Sequence, residues 1–290
     1  MKRRIILFIR TLFLLSLIQC GGADIMTVKD PVTPEGYFFS GPLPEKTAYL
    51  TFDDGPAAWT ERFLDVLQKE KVKATFFVSA YWNIREHKGN LKFMKYRRAL
   101  IRMIEEGHII GNHTADHKTL TRLSDNEIRE QFSKNQLLLN DAMGEKAPVM
   151  TILRPPMGLP WYSKSPDGNK TRIEKQLRET GLIVLWTGKF DSSDSWEWVK
   201  GEWHRPCDRI DESASEFIRK TQRIYRRIVS GADGRGIIIL MHDTHNTTLK
   251  ILPAVIKGLK NRGYRFDTLE GYFIWRYGKK SSELTGKNNS

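Results

Sequence analysis

Ala48-Tyr49-Leu50-Thr51-Phe52-Asp53-Asp54-Gly55-Pro56 reads as an apolar strand running straight into adjacent carboxylates and a turn. Taken alone, Asp-Asp-Gly is most often just a turn, because Gly accepts positive φ and Asp bonds nearby backbone. A second stretch changes its weight. His108-Ile109-Ile110-Gly111-Asn112 runs directly into His113-Thr114-Ala115-Asp116-His117, which places imidazoles four residues apart after another strand-like run. A lone His-x-x-x-His is usually a pair of neighbours on a helix face or loop. Here both sets lie just beyond the C-terminal ends of predicted strands, where α/β proteins build their sites. Two histidines and one carboxylate are a common ligand set for a catalytic Zn²⁺ with a position left open for water. A second carboxylate beside them is placed to take a proton from that water. The combination points to metal-assisted hydrolysis.

Working outward, strand-like runs at 48–53, 73–78, 108–112, 149–154, 182–187, 236–241 and 264–267 alternate with helical patterns. The helical stretches include 59–70, 92–106, 124–142, 170–180, 209–230 and 247–262, and the third of these opens on a Ser124–Glu127 capping box. Such alternation predicts an α/β fold with a parallel sheet and right-handed crossovers. The expected domain, residues 47–278, is long enough for a buried core and is read as one unit, without internal repeats.

With the strands placed, the chain resembles the NodB-type polysaccharide deacetylases, carbohydrate esterase family 4. The two stretches above match that family's first two motifs. Arg154-Pro155-Pro156-Met157-Gly158 matches the third, and Leu240-Met241-His242-Asp243 the last. Asp191-Ser192-Ser193-Asp194-Ser195-Trp196 resembles the fourth imperfectly, because Ser195 stands where the family has Trp directly after the second Asp. The resemblance implies a distorted, incomplete (β/α)7-type barrel and hydrolysis of N-acetyl groups on a polysaccharide. It implies Asp54, His113 and His117 as metal ligands, Asp53 as general base and Arg154 as the residue that orients it. His242 would be the general acid, oriented by Asp194 with Asp191 as the alternative. Pro155, Trp196 and Leu240 would contact substrate, Leu240 by walling the acetyl pocket. Asp243 reads as a turn or capping residue. The expected metal is Zn²⁺, with Co²⁺ or Ni²⁺ also compatible with the ligand set.

Trp196, Trp198 and Trp203 lie in an insertion, residues 195–206, and would either stack on sugar rings or pack onto the barrel; at least one is expected in the core. An O-acetyl esterase is the nearest enzymatic alternative, since the same residues serve both bonds. A non-catalytic wall-binding lipoprotein is the alternative of a different class, which the distorted fourth motif favours and the retained ligands oppose.

The ends carry other information. Lys2, Arg3, Arg4 and Arg10 precede or interrupt the apolar Ile5–Ile18 run, so residues 1–19 read as a signal peptide. Leu17-Ile18-Gln19-Cys20-Gly21-Gly22 resembles a lipobox, apart from Gln19, and predicts lipidation of Cys20 and a membrane anchor on the outer side. The other cysteine, Cys207, is then left without an intrachain partner; the alternative is a Cys20–Cys207 bridge tying the tail to the domain. Residues 20–46 read as a lipidated, flexible tether and 279–290 as a disordered tail. The net charge is +13 with a sequence pI near 9.7. The basic runs Lys95–Arg98 and Arg223–Arg227 read singly as solvated helix faces. Export removes nucleic acid as a partner and favours anionic envelope polymers. The expected substrate is peptidoglycan N-acetylglucosamine ahead of chitin-like oligomers, and the expected state is a monomer.

Overall fold

The computed structural model describes residues 42–81, 92–162, 168–195, 197–199, 202–204, 213 and 215–287. The expected signal peptide, Cys20, Cys207 and Trp196 lie outside the described residues. No helix among the described residues is long and apolar enough to cross a membrane.

The first half of the chain runs β1 (Thr47–Asp53), α1 (Thr60–Glu70), β2 (Thr75–Val78), α2 (Lys92–Lys95), α3 (Arg97–Glu105), β3 (Ile109–Asn112), α4 (Asp125–Met143) and β4 (Ile152–Leu153). The second half runs α5 (Gly168–Leu177), β5 (Leu182–Ile183), β6 (Glu197–Val199), β7 (Glu202–His204), α6 (Ser215–Tyr225), β8 (Ile237–His242), α7 (Asn246–Asn261), β9 (Arg265–Asp267), α8 (Leu269–Tyr277) and α9 (Ser281–Leu284).

The main sheet has the order β5-β4-β3-β2-β1-β8, all parallel, and β9 joins β1 end-on to β2. β1 is buried along its whole length, as a central parallel strand covered on both faces must be. Its alternation divides the core. Ala48, Leu50 and Phe52 face the helices and pack with Phe63, Leu64, Phe76 and Val255. Tyr49 turns inward with Phe77, Ile238 and Leu240, and α8 closes the inner cluster from below through Leu269, Tyr272 and Phe273. The sheet curls into a half-barrel. Beyond β5 the chain returns to the far edge, where Thr187 N donates to Ile238 O, Leu240 N to Phe190 O, and Ser192 N to Leu240 O, at 3.0 Å each.

Several expectations change. The helix predicted over 92–106 breaks at Tyr96 (φ −111°, ψ 27°), leaving α2 as a separate turn whose first residue points inward. The strands predicted at 149–154 and 182–187 pair over only two residues each. The helix predicted over 209–230 is described from Ser215 and widens into a π-helix at Arg226–Ser230. Within the insertion, β6 and β7 form an antiparallel hairpin. The tail is not disordered over 279–287: the hydroxyl of Ser281, 3% exposed, bonds Thr151 at 2.6 Å and Glu270 at 2.5 Å. These anchors are polar, so no apolar period announced them. The end of the expected tether is also fastened, with Lys46 N donating to Gly234 O at 2.8 Å.

Candidate active site

Four strand ends deliver the site. β1 ends on Asp53, and its period-two alternation points that side chain into the half-barrel, two residues beyond Thr51. Arg154, just past β4, is fully buried and donates through one nitrogen to Asp53 Oδ1 at 2.8 Å and to Thr51 Oγ1 at 2.7 Å. Its Nε holds Val184 O at 3.0 Å, and the guanidinium lies 4.0 Å from the Phe77 ring centroid. A guanidinium gripped on so many sides can present Asp53 with one orientation only.

Asp54 turns the other way. Its backbone adopts φ 72°, which carries the carboxylate off the strand register and toward the histidines. Asp54 Oδ1 lies 3.4 Å from His113 Nε2 and 3.2 Å from His117 Nε2. One ligand atom from each of these residues lies within 4.8 Å of the others. Asp54 Oδ1 is buried and has no hydrogen-bond partner among the described residues. A buried carboxylate oxygen left in this condition, facing two imidazole nitrogens, fits a divalent cation. His113 Nδ1 is 2.7 Å from Arg154 O, which fixes its ring and leaves Nε2 for a ligand. Burial opposes the Asp54 charge, yet His117, His113 and His242 hold its carboxyl well below the usual range. Burial also lowers the His117 pKa, against the pull of Asp54, and so favours the neutral imidazole that binds metals.

The histidine loop is braced by residues that carry no motif in the sequence. Thr114 (φ 70°) and His117 (φ 55°) need left-handed backbone. Asn112 Oδ1 accepts Thr114 N at 3.0 Å, and Asn135 on α4 donates to Asn112 Oδ1 at 2.9 Å and to Val78 O at 2.8 Å. A signal existed: Ile128, Phe132, Asn135 and Leu139 form one buried helical stripe in which the asparagine is the polar exception.

The opposite wall is His242, at the end of β8. Its Nδ1 lies 2.7 Å from Asp194 Oδ1, and its backbone N donates to Asp194 Oδ2 at 2.9 Å. Thr248 Oγ1 donates to the same Oδ2 at 2.6 Å. Burial works against protonation of His242, but the Asp194 carboxylate overrides it and raises the pKa. His242 Nε2 then faces the site, 3.9 Å from Asp54 Oδ2. Asp191 is elsewhere: its Oδ1 accepts Ser193 N at 2.7 Å, a local turn that spends the side chain. Arg223 on α6 donates to Ser193 O and Arg227 to Asp191 O, each at 2.8 Å. Part of the basic run Arg223–Arg227 is therefore a brace on this loop and not simply a solvated face.

Of the expected substrate contacts, Pro155 is buried with its carbonyl accepting Gly158 N, and Leu240 is 5% exposed within the inner cluster. The third-motif loop presents another aromatic pair, Tyr162 stacked on Trp186 with ring centroids 4.4 Å apart. Asp243 does lie in a turn, but its carboxylate is fully buried and accepts from the Thr60 hydroxyl.

A curled α/β half-barrel whose strand ends carry an oriented carboxylate, a His–His–Asp cluster and a His–Asp pair is the architecture of a hydrolase. The polysaccharide deacetylase family model matches residues 40–179. The chain is 31% identical over 222 residues to a peptidoglycan-N-acetylglucosamine deacetylase of Bacillus cereus, covering 77% of this chain and 68% of that one. It is 32% identical over 228 residues to the deacetylase PgdA of Listeria monocytogenes, covering 78% of this chain but 38% of that protein. Among solved structures, the T48 deacetylase with substrate superposes at TM-score 0.58 and 30% identity, over 79% of this chain and 92% of that one. The chain belongs to the polysaccharide deacetylase (NodB, carbohydrate esterase 4) family. It is a hydrolase acting on N-acetyl sugars, and its family is metal-dependent.

Proposed function

We propose that this protein deacetylates N-acetylglucosamine in peptidoglycan, with Zn²⁺ held by Asp54, His113 and His117. The carrying observation is that the adjacent carboxylates take different partners: Asp53 Oδ1 is clamped by Arg154 at 2.8 Å with its Oδ2 3.7 Å from His113 Nε2, whereas Asp54 Oδ1 meets both histidines at 3.4 and 3.2 Å. A cation so held supplies Lewis acidity and lowers the pKa of a water at the site toward ~7.

The remaining work falls to side chains. Asp53, fixed by Arg154, accepts the proton as water adds to the acetyl carbonyl carbon. His242, kept protonated by Asp194, delivers a proton to the amine nitrogen as the C–N bond breaks. Acetate and a free amino sugar result. Tyr162, exposed and backed by the buried Trp186, would offer a face for a pyranose ring. The N-acetylglucosamine preference is supported by the names of the relatives from Bacillus cereus and Listeria monocytogenes.

Acetate release should be measured on peptidoglycan, chitooligosaccharides and acetylxylan, alongside metal content. Release from peptidoglycan above the other polymers is expected. Release from acetylxylan alone would make the chain an O-acetyl esterase, and none from any polymer with the metal bound would make it a binding module.

The proposal extends to location. Residues 1–19 would direct export, Cys20 would carry the lipid, and 20–41 would span from the membrane to the half-barrel; the Leu17–Cys20 pattern and the peptidoglycan substrates of the relatives support this. Cys20→Ser should move the protein out of the detergent-extracted membrane fraction, remove acyl label, and leave deacetylation unchanged. A wild-type chain that fractionates as soluble, without acyl label, would remove the anchor from the proposal.

A further inference from the structure

Behind the Asp54 carboxylate lies a set of buried charges that the deacetylation chemistry does not use. Lys92, the first residue of α2, is 4% exposed, and Thr60 and Asp243 are both at 0%. The Lys92 ammonium donates to the backbone carbonyl oxygen of Asp54 at 2.6 Å. On the other side of the same turn, the Thr60 hydroxyl donates to Asp243 and accepts from Ala57 N at 2.7 Å. Gly55 lies between, so close to Asp243 that a Cβ there would collide with its carboxylate. The Asp54-Gly55-Pro56-Ala57 turn is thus gripped from one side by an ammonium and abutted on the other by a carboxylate.

Two physical facts make the grip consequential. Asp54 has φ 72°, a left-handed conformation that a β-carbon disfavours, so its posture must be imposed from outside. A buried ammonium, in turn, holds an acceptor strongly, because giving one up in the interior costs more than it would in water.

We propose that Lys92 is a positioning residue for cation binding, its ammonium locking the Asp54 main chain so that Oδ1 faces His113 and His117. The inference rests on the reading of Asp54, His113 and His117 as the metal site. Nothing in the sequence marked Lys92, because it depends on the break at Tyr96 that frees α2 from α3.

The test is Zn²⁺ affinity of the full chain, by competition with a chromophoric chelator, together with kcat and KM at saturating Zn²⁺. Lys92→Met should weaken Zn²⁺ binding by about 10–100-fold, the usual loss when a residue supporting a metal ligand is removed. The kcat should return toward wild type once Zn²⁺ is saturating, with KM for sugar unchanged, a recovery that general destabilisation would not give. If Lys92→Met does not fold, Lys92→Gln, which keeps a donor without the charge, decides on the same scale. His117→Ala is the control. Zn²⁺ affinity within about twofold of wild type in the Lys92 variant, with His117→Ala defective, overturns this inference alone. Full affinity in His117→Ala overturns the metal reading beneath it.

Discussion

The two walls of the site are built by different means. The wall of Asp53, Asp54, His113 and His117 comes from neighbouring strands: β1 pairs with β2 from Thr51 to Asp53, and β2 pairs with β3 from Thr75 to Val78. Its side chains sit at strand ends or in the turns just beyond them, which short motifs mark in the sequence and Asn112 and Asn135 brace. The wall of His242 and Asp194 is assembled across 48 residues, from a strand end and a loop with no extended pairing of its own. That loop is fastened to β8 by Ser192 N, to α6 by Arg223 and to the π-helical turn that follows by Arg227. A wall carried by the sheet tolerates no change at its residues, whereas a wall carried by braces can be loosened by degrees.

The sheet-borne wall should therefore give the largest effects. Replacing Asp54, His113 or His117 with Ala is expected to abolish Zn²⁺ binding and deacetylation together. Asp53→Asn should keep the metal and lose about 10²–10⁴-fold in kcat, the range for loss of a positioned general base. Metal analysis of each purified variant, paired with acetate release, checks this. A metal-free Asp53→Asn beside a loaded Asp54→Asn would reverse the roles of the two carboxylates.

The braced wall should respond next. Asp194 raises the His242 pKa above its ordinary value, so the proton that His242 would donate in the proposed reaction is held at neutral pH and lost as pH rises through the raised value. Asp194→Asn removes the largest source of that rise, and the alkaline limb of the rate profile should move toward acid, toward ~6.5. A fall of about 10²-fold in kcat at pH 8 should accompany it. Asp191→Asn should leave the limb in place, since Asp191 Oδ1 is committed to Ser193 N. A limb that moves only in Asp191→Asn would transfer the orienting role.

The contrast also explains what could be read from the sequence. β1, β3 and β8 are legible because a buried parallel strand is a continuous apolar run, and its register fixes where the side chains at its C-terminal end must point. The fourth motif is ambiguous because its loop is held by contacts such as that from Arg223, about thirty residues away, which no local pattern encodes. Lys92 is hidden for the same reason. α8 goes unmarked despite legible signals: Thr268 caps its start by accepting Gly271 N at 3.2 Å, and Gly278 ends it at φ 66°. Its aromatic composition, Tyr272-Phe273-Ile274-Trp275, obscures a helical pattern that the caps alone would have shown.

The smallest expected effect tests the brace itself. Arg223 donates to the carbonyl of Ser193, whose backbone sits at φ 53° one residue before Asp194. That conformation is disfavoured for a residue with a side chain, and the arginine gives the loop a reason to keep it. Arg223→Gln, which is shorter and uncharged, should let Asp194 sample orientations away from His242 without unfolding the half-barrel. The expected loss is about tenfold in kcat, the equivalent of one hydrogen bond of ~1.4 kcal/mol. Zn²⁺ content and KM should stay at wild-type values, because Arg223 braces the Asp194 loop on the opposite wall from the His113–His117 loop. Arg223→Lys should recover part of the loss by restoring a charged donor. The alkaline limb should shift in the same direction as in Asp194→Asn but less far, since the carboxylate remains present and only its aim is degraded. A wild-type pH profile and kcat in Arg223→Gln would show that Ser192 N, His242 N, Thr248 and Arg227 hold Asp194 without Arg223, and that the acid wall belongs to β8 as fully as the base wall belongs to β1.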